Sequence, residues 1–500
     1  MSDDAVNKPG WTLSDIAEKT GKTTSGVANW RTRDETFPKP IGRDGVALVF
    51  DPVEVQKWLE DNKHLIEVKP EMDTNAWREE QDLSKTFWNS LETIRGKVPS
   101  NQTFYFFTDA LAHGFDLRVE SNEHSAWTKF VSDHSSAASD LYENWIKFFS
   151  SGSAIKNSSF STLLHILPEL VGFGEPGLQH LTPKHLAQTI AKIVAVANGH
   201  LVVDPCVGVG TLLLETSLEA VGEPNLYGRE LNTSTARTAR AVFSRSGVKV
   251  LIEEGDSVRG NPLPVGDRVV AAPPISQRLQ LSPSERKDIR WDYADPGTDG
   301  GDLVWAQLIL GAMNDSGIGA MLTSQAILFR RGRDETFRRR LIRRGHLEAV
   351  ITLPAGMLYG TGIPSSILVF NKAQKSEVLD EGVLFVDVSI NKFQPKSRGR
   401  KNVPYQLPGA IAAVVLAHRN GVKLEVRTHP EFEIRYIKVR QGMLAENEFN
   451  LLPNRYIKPG TQGRKKDDIK GMIAQVEDRI AELNRQLAQR RNLGRNERNE

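Results

Sequence analysis

The sequence is poor in cysteine, has no long apolar run and carries almost no net charge. Cys206 is the only cysteine among 500 residues, which excludes a disulfide within the chain and a zinc site built from several cysteines. No apolar stretch approaches the roughly 20 residues needed to cross a membrane, and the first residues lack the basic and then apolar order of a signal peptide. These absences predict a cytoplasmic protein with no membrane partner and no metal site. The net charge of +2 is too small to indicate a nucleic-acid partner by itself.

The first part of the chain alternates helix signals with turn signals. Ser14 is positioned to cap a helix through Glu18, and Gly21 permits a sharp turn before a second helix. A short strand from Val46 to Phe50 and a closing helix from Pro52 to Leu59 follow. This order resembles a winged helix-turn-helix of the excisionase type, whose second helix would read the DNA groove. The alternative is a small helical domain that contacts protein. The residues predicted to contact DNA are Thr24, Ser25, Asn29 and Arg31.

The middle of the chain alternates strand and helix patterns, which argues for a mostly parallel sheet with helices on both faces. Leu201–Asp204 has the pattern of a buried strand that leads into a glycine loop and a helix. Gly208 and Gly210 lack a Cβ, so the backbone can turn tightly there and approach a ligand. Glu230 and Asp256 stand at the ends of the next two predicted strands. Ligands of open α/β sheets bind at those carboxyl ends.

A second segment, Asp267–Ile275, has the pattern of another strand and ends in a double proline. With the glycine loop, it resembles motifs I and IV of the DNA N6-adenine methyltransferases, in particular the modification subunits of type I restriction systems. Ile351–Pro364 is highly characteristic of those subunits. The resemblance covers Leu181 to Lys372 well, and it implies a Rossmann-like core that binds S-adenosylmethionine.

The resemblance also implies roles for particular residues. The segment Thr182–Pro183 would close over S-adenosylmethionine, Glu230 would accept hydrogen bonds from both ribose hydroxyls, and Asp256 would contact the adenine moiety. Cys206 is read as a small buried residue and not as a nucleophile. The alternative is a glycine loop that persists as packing after binding was lost. The implied cofactor-binding residues are Thr182, Pro183, Asp204, Pro205, Gly208, Gly210, Glu230 and Asp256.

In the family, the double proline follows an Asn and precedes a Phe or Tyr. The Asn oxygen orients the amine of a flipped-out adenine, and the aromatic ring stacks on the base. Here Ala272 and Ile275 replace them, so the loop Ala272, Pro273, Pro274 and Ile275 has neither acceptor nor ring. We predict impaired or lost catalysis. One alternative is an active adenine methyltransferase in which another residue replaces the Asn, and a second is a transcriptional or defence regulator that uses the fold as a scaffold.

Basic residues cluster in two places after the predicted site. The first cluster is a run of arginines from Arg330 to Arg344, and the second is a loop from Asn391 to Lys401. Together they would line a cleft for the phosphates of double-stranded DNA; the alternative is an ordinary soluble surface. The residues predicted to contact phosphate are Arg338, Arg339, Arg343, Lys396, Arg398 and Arg400.

A heptad pattern occupies the C-terminal region. Apolar residues alternate at spacings of four and three, which indicates a helix able to pair with another helix. The partner would be a second copy or a specificity subunit of a restriction or phage-defence system; a helix folded onto its own chain is the alternative. The apolar positions are Ile469, Ile473, Val476, Ile480, Leu483 and Leu487.

These patterns predict a multidomain α/β protein, since 500 residues exceed one hydrophobic core. The predicted parts are a winged helix-turn-helix over residues 1–65, a helical domain over 70–175, a methyltransferase-like core over 176–375, a C-terminal extension over 376–460, and an amphipathic helix with a disordered tail over 461–500.

Overall fold

The computed structural model divides into two compact units, Met1–Leu91 and Glu92–Glu500. No helix in the described ranges combines the length and the apolar character that a membrane crossing requires. The structure describes residues 10–20, 27–28, 30–31, 36–44, 47–61, 86, 89–99, 102–112, 117, 126–149, 181–275, 277–298, 300–359, 362–373, 382–390, 395–396, 400–401, 403–422, 429 and 431–457.

The first unit contains a three-stranded antiparallel sheet in the order β1-β3-β2. A core of aromatic and aliphatic side chains holds it together, with the rings of Phe37 and Trp58 4.9 Å apart. The predicted strand and closing helix are confirmed to within two residues at each end. The elements are β1 (Trp11–Thr12), α1 (Leu13–Thr20), β2 (Pro40–Asp44), β3 (Ala47–Phe50) and α2 (Pro52–Asp61).

Helix α1 begins with a reciprocal capping pair that differs from the predicted one. The backbone N–H of Thr12 donates to the Asp15 carboxylate at 2.8 Å, and the N–H of Asp15 donates to the Thr12 hydroxyl at 3.3 Å. The prediction that Ser14 caps this helix was wrong, because Thr12 has an acidic residue three positions later and Ser14 already lies within the helix.

The second unit starts with helices whose aromatic residues pack together. Phe106 and Phe130 pack with ring centroids 4.9 Å apart, and the backbone N–H of Trp127 donates to the Asp109 carboxylate at 2.7 Å. The helices are α3 (Thr103–Ala112), α4 (Ala126–Asp133) and α5 (Ser135–Phe149).

A nine-stranded sheet follows in the order β14-β11-β9-β10-β8-β7-β4-β5-β6. All neighbouring pairs are parallel except those of β10 and β14, which run antiparallel to their partners. The predicted mostly parallel sheet is thus confirmed. The strands are β4 (Leu201–Asp204), β5 (Asn225–Glu230), β6 (Leu251–Glu254), β7 (Gly266–Ala271), β8 (Met313–Ser324), β9 (Leu347–Thr352), β10 (Ser365–Asn371), β11 (Val383–Ile390) and β14 (Phe432–Val439), with a separate pair β12 (Pro395–Lys396) and β13 (Arg400–Lys401).

Helices cover the sheet and bury its apolar strands. The most apolar of them packs against β7 and β8 and buries nearly all of its residues. The helices are α6 (Lys184–Val194), α7 (Thr211–Leu218), α8 (Thr233–Ser246), α9 (Gly301–Ala312), α10 (Arg333–Arg343), α11 (Leu407–Arg419) and α12 (Gln441–Glu446), with short 3-10 helices at Glu285–Lys287, Gln325–Leu328 and Pro453–Arg455.

The order of the strands creates a crevice beside β4. From β4 the chain continues to β5 and β6 on one side, and then returns to β7 and β8 on the other. Val203 of β4 pairs in register with Val269 of β7, so the carboxyl ends of these two strands are neighbours. Such a switch point is where open α/β sheets bind their ligands.

Candidate functional site

The glycine loop between β4 and α7 has the backbone conformation that its sequence predicted. Gly208 and Gly210 have φ values of 57° and 93°, in the left-handed region that residues with a Cβ rarely adopt. A Cβ on Gly210 would also lie 2.7 Å from the ring of Phe243. No side chain caps the first turn of α7, so its N–H groups can serve a ligand.

Glu230 joins this loop to the end of β5. The side chain is 9% exposed. One carboxylate oxygen accepts the Gly208 N–H at 3.0 Å and the other accepts the Asn232 N–H at 2.9 Å. Each oxygen has a second lone pair. The carboxylate therefore shapes the loop and still has room to accept two hydroxyl groups of a ligand.

Asp204 ends β4 and is almost fully buried, at 1% exposure. Its Oδ1 accepts the backbone N–H of Cys206 at 2.9 Å. Burial raises the pKa of Asp204 to about 7; the hydrogen bond from Cys206 opposes this rise, and the charge of Glu230 adds to it. Two acidic groups in one crevice favour a cationic ligand, because a nearby positive charge stabilises their ionised forms.

The end of β6 is tied to the same loop. The Ser257 hydroxyl donates to the backbone oxygen of Pro205 at 2.6 Å. The adjacent Asp256 accepts the N–H groups of Val258 and Arg259 on one oxygen, at 2.8 and 3.1 Å. Its other oxygen lies 3.2 Å from the Arg259 guanidinium. Asp256 is thus brought to the crevice, with its side chain held in one orientation.

The Thr182–Pro183 segment lies against the start of α7. The backbone N–H of Thr182 donates to the Thr211 hydroxyl at 3.0 Å, and Thr182 is 7% exposed. Pro183 precedes the first residue of α6. The segment therefore lies against α7, the helix that follows the glycine loop. The Thr211 hydroxyl holds it there.

The double-proline loop follows β7 and lies beside the glycine loop. Ala272 and Ile275 are partly exposed, Pro273 is buried and Pro274 is exposed. The backbone amide of Ala272 interacts with the thiol of Cys206, although burial is the larger effect and raises the pKa of that thiol well above its ordinary value. Asn261 precedes β7 in the chain, and its backbone oxygen accepts a hydrogen bond from the Arg229 guanidinium on β5. In the sheet, β5 lies two strands away from β7.

Arg338, one of the residues predicted to line a cleft for phosphates, is buried. It is 2% exposed, and its guanidinium donates to the backbone oxygens of Phe449, Ile327 and Arg330 at 2.7, 2.8 and 2.8 Å. This position faces inward beside Phe337, where backbone oxygens take up Nε and Nη1, so Arg338 could reach a phosphate only from inside the protein and not from the open surface.

The other predicted DNA contacts are dispersed. Arg339 is exposed and forms a 2.6 Å ion pair with Glu335, and Arg343 is exposed near the end of α10. Lys396 and Arg400 are register partners in the β12–β13 pair, and Arg31 is helical and exposed. Thr24, Ser25, Asn29 and Arg398 lie outside the described residues, as do the predicted heptad positions.

Sequence reasoning missed the buried Arg229 next to Glu230. Its guanidinium donates to the Tyr227 hydroxyl at 3.0 Å, to Glu253 at 3.1 Å and to the backbone oxygen of Asn261 at 2.6 Å. These bonds fix the carboxyl ends of β5 and β6 around the crevice. A charged residue inside an apolar strand pattern was the signal that could have revealed it.

Known proteins resemble this chain over the same region. A family model described as N-6 DNA methylase matches residues 174–465. The methylase subunit of the type I restriction enzyme MjaVIII from Methanocaldococcus jannaschii is 33% identical over 232 residues, which are 42% of this chain and 39% of that protein. The methylase subunit of EcoKI from Escherichia coli is 24% identical over 213 residues, 39% of this chain and 40% of that protein. The chain thus spans about two fifths of the length of these curated relatives.

A solved structure shows the shared fold. The methyltransferase subunit of a type I restriction-modification system from Streptococcus thermophilus has a TM-score of 0.54 and 17% identity to this chain, over 76% of this chain and 99% of that one. The large, mostly parallel sheet with its flanking helices fits the α/β core of S-adenosylmethionine-dependent methyltransferases. Since the family model matches more than half of the 500 residues, the chain belongs to the N-6 DNA methylase family.

Proposed function

We propose that this chain is a DNA-binding protein of the adenine-specific (N6) DNA methyltransferase family, similar to a type I modification subunit, with impaired or lost catalysis. One observation carries the proposal. Ala272 contacts Cys206 next to the glycine loop, and Ala272 and Ile275 follow the carboxyl end of β7, at the motif positions where the family's reaction needs an acceptor and an aromatic ring. The crevice is assembled, but the loop that would orient the target base lacks the groups for it.

The residues of the crevice fit S-adenosylmethionine, which supplies the transferable methyl group when bound. Glu230 would accept the ribose hydroxyls with the free lone pairs of its two oxygens. Asp256 would contact the adenine moiety, and Thr182 and Pro183 would cover the ligand beside Thr211. The paired acidic groups Asp204 and Glu230 would favour a positively charged cofactor.

The missing groups have a predictable effect on rate. Loss of an aromatic ring that stacks on a base costs roughly 1–3 kcal/mol. Loss of an orienting acceptor costs about 2.7–4 kcal/mol if it resembles removal of a donor from an oxyanion hole. Together they lower the rate by several orders of magnitude, since about 1.4 kcal/mol of barrier is tenfold in rate. Pro273 is still buried and fixes the loop, so its shape survives without these groups.

Double-stranded DNA would cross the carboxyl edge of the sheet, with Arg339 of α10 as a phosphate contact and the N-terminal unit as a second DNA contact. Arg343 ends α10 four residues before β9 begins, so it lies toward the opposite edge. A specificity subunit or a second copy would pair with the C-terminal heptad positions. The similarity to type I methylase subunits supports this assembly. The role would then be recognition or assembly within a restriction or phage-defence system.

The decisive experiment combines calorimetric titration of S-adenosylmethionine with transfer of a tritiated methyl group to adenine-containing DNA. We expect cofactor binding and no transfer by the wild-type protein, and measurable transfer by the double variant Ala272→Asn/Ile275→Phe. Glu223→Gln, at an exposed position away from the crevice, is the control for cofactor binding. Transfer by the wild-type protein would refute lost catalysis, and absence of cofactor binding would favour a regulator that keeps the fold as a scaffold.

A further inference from the structure

A cavity of about 200 Å³ lies between the start of α10 and the segment that follows α12. It is near the end of β8, because the Leu451 N–H donates to the Leu328 oxygen at 2.9 Å, only four residues beyond Ser324. The carboxyl end of β8 is at the same edge of the sheet as the glycine loop, since β8, β7 and β4 are parallel. The charged and polar residues that line the cavity are Arg331, Arg338, Arg455, Glu335, Glu448 and Asn450.

The guanidinium of Arg338 is the innermost positive charge of this lining. The residue is 2% exposed, and it forms no ion pair with any described carboxylate. Its Nε and Nη1 donate to three backbone oxygens, whereas Nη2 makes no hydrogen bond to a described residue. Burial lowers the pKa of Arg338 to about 10, so the group is charged at neutral pH. The charges of Asp334 and Glu335 oppose this fall in pKa, so Arg338 has acidic neighbours without a direct ion pair. Its unpaired Nη2 can therefore donate to an anion in the adjacent cavity.

Apart from Arg338, the cavity is lined by two arginines and two glutamates, and each of the glutamates is paired with an arginine. Glu335 pairs with Arg339 at 2.6 Å, and Glu448 pairs with Arg331 at 2.9 Å. Both residues of the second pair are largely exposed, so it contributes little and can exchange its partner. Arg455 is exposed and has no ion pair among the described residues.

We propose that this cavity binds one phosphate group of a DNA backbone, a contact that rests on the proposed DNA-binding function. Guanidinium groups bind phosphate through parallel N–H donors and are suited to buried sites. The volume of about 200 Å³ accommodates a phosphate with water, since a water molecule takes about 30 Å³ in the liquid. Arg338 would hold the phosphate from inside, and Arg455 would close over it from the mouth. Arg338 on α10 and Arg455, which follows it by more than a hundred residues, would thus contact the same phosphate.

The test compares Arg455→Gln with Lys249→Gln in the full chain. Lys249 is an exposed cation before β6, at the opposite edge of the sheet, so its loss changes the net charge equally without touching the cavity. Fluorescence anisotropy with a labelled duplex is measured from 50 to 200 mM salt. A single phosphate contact contributes about 0.9 to the salt slope. Between 50 and 200 mM salt, the fold-loss of duplex affinity should therefore be roughly threefold smaller for Arg455→Gln than for the wild type. Lys249→Gln should show the same fold-loss as the wild type.

Equal salt slopes for wild type and Arg455→Gln would overturn the proposal while leaving DNA binding intact. Failure of the wild-type protein to bind any duplex would refute the proposed function instead. In that case titration with inorganic phosphate identifies the source of the ligand. If Arg455→Gln abolishes binding of inorganic phosphate but leaves duplex binding unchanged, the occupant of the cavity is free phosphate and not a DNA phosphate. Arg338→Lys, which keeps the charge but loses the fork, should weaken duplex binding while keeping the salt slope of the wild type, provided that thermal melting shows that it is folded.

Discussion

Glu230 accepts the backbone N–H of Gly208 at 3.0 Å, which joins the end of the second strand of the crevice to the turn that follows the first. The same carboxylate is the residue that would accept the ribose hydroxyls. It therefore has two tasks, because it sets the conformation of the glycine loop and contacts the ligand that the loop approaches. Ligand binding and loop conformation should respond together when this side chain is changed.

Glu230→Gln should weaken binding of S-adenosylmethionine by roughly 10- to 100-fold. The amide retains the size of the side chain but has one acceptor oxygen instead of two, and a hydrogen bond to a charged group contributes about 1.5–3 kcal/mol. Isothermal calorimetry measures the effect, with Glu223→Gln as a control of equal charge change. Equal affinities for the two variants would show that Glu230 is only a structural residue.

Asp204→Asn should stabilise the cofactor-free protein at pH 8 and change it less at pH 5. Burial raises the folded pKa of Asp204 from 3.8 to about 7. As the pH rises through this window the unfolded chain ionises first, so the folded state loses stability up to about pH 7. Asparagine cannot ionise and avoids that loss. Thermal melting at the two pH values should show an increase of several degrees at pH 8, and an equal shift at both would contradict the assignment.

The same titration predicts the pH dependence of cofactor binding by the wild-type protein. A cationic ligand beside Asp204 lowers its pKa and so binds the ionised form more tightly. Affinity for S-adenosylmethionine should therefore rise between pH 6 and pH 8 and then level off, because Asp204 titrates near pH 7. The rise should be absent in Asp204→Asn. Calorimetry in buffers of different ionisation enthalpy also detects the released proton.

Arg338→Leu should destabilise the second unit strongly, by on the order of 3–5 kcal/mol, because three backbone oxygens lose their donor inside the protein. Arg339→Leu removes an exposed ion pair on the same helix and should cost no more than about 1 kcal/mol. Urea denaturation compares the two variants. A similar midpoint for both would mean that the bonds from Arg338 contribute little to stability.

Thr12→Ala should cost about 1 kcal/mol of stability in the N-terminal unit, whereas Ser14→Ala should have almost no effect. Thr12 exchanges hydrogen bonds with Asp15 at the start of α1, and loss of an N-cap residue typically costs about 0.5–2 kcal/mol. Chemical denaturation monitored by tryptophan fluorescence includes a signal from this unit, because Trp11 and Trp58 lie in its core. Comparison of Thr12→Ala with Ser14→Ala separates that signal from the tryptophans of the second unit, which neither variant touches. A larger effect of Ser14→Ala would restore Ser14 as the cap.

The parts of the site that sequence predicted are those that depend on short-range patterns. Gly208 and Gly210 predict a left-handed turn, because they have no side chain. Glu230 and Asp256 were predicted as site residues because each stands at the end of a strand pattern. The order of segments then placed them at one edge of a parallel sheet. These inferences need only local periodicity and the rule that parallel strands share an edge.

The parts that sequence did not predict depend on distant neighbours. Whether Arg338 faces solvent or the interior is decided by Phe449, which lies 111 residues further along the chain. Likewise, the bond from Ser257 to Pro205 spans 52 residues, and an ordinary serine gives no sign of it. A charged cluster read from sequence alone therefore overstates the number of side chains available to DNA.

The antiparallel strand β10 has a consequence for the synthesis of the chain. It lies between β8 and β9 and pairs with both, and all seven of its residues are buried. A nascent chain that has reached only Leu353 therefore leaves open the edges of β8 and β9 that face β10, and such edges template aggregation. Ribosomal release of Ser365–Asn371 closes both edges at once, so the halves of the sheet can be joined only after these residues emerge. Slow translation just before Ser365 would prolong the interval in which these two edges stay unpaired.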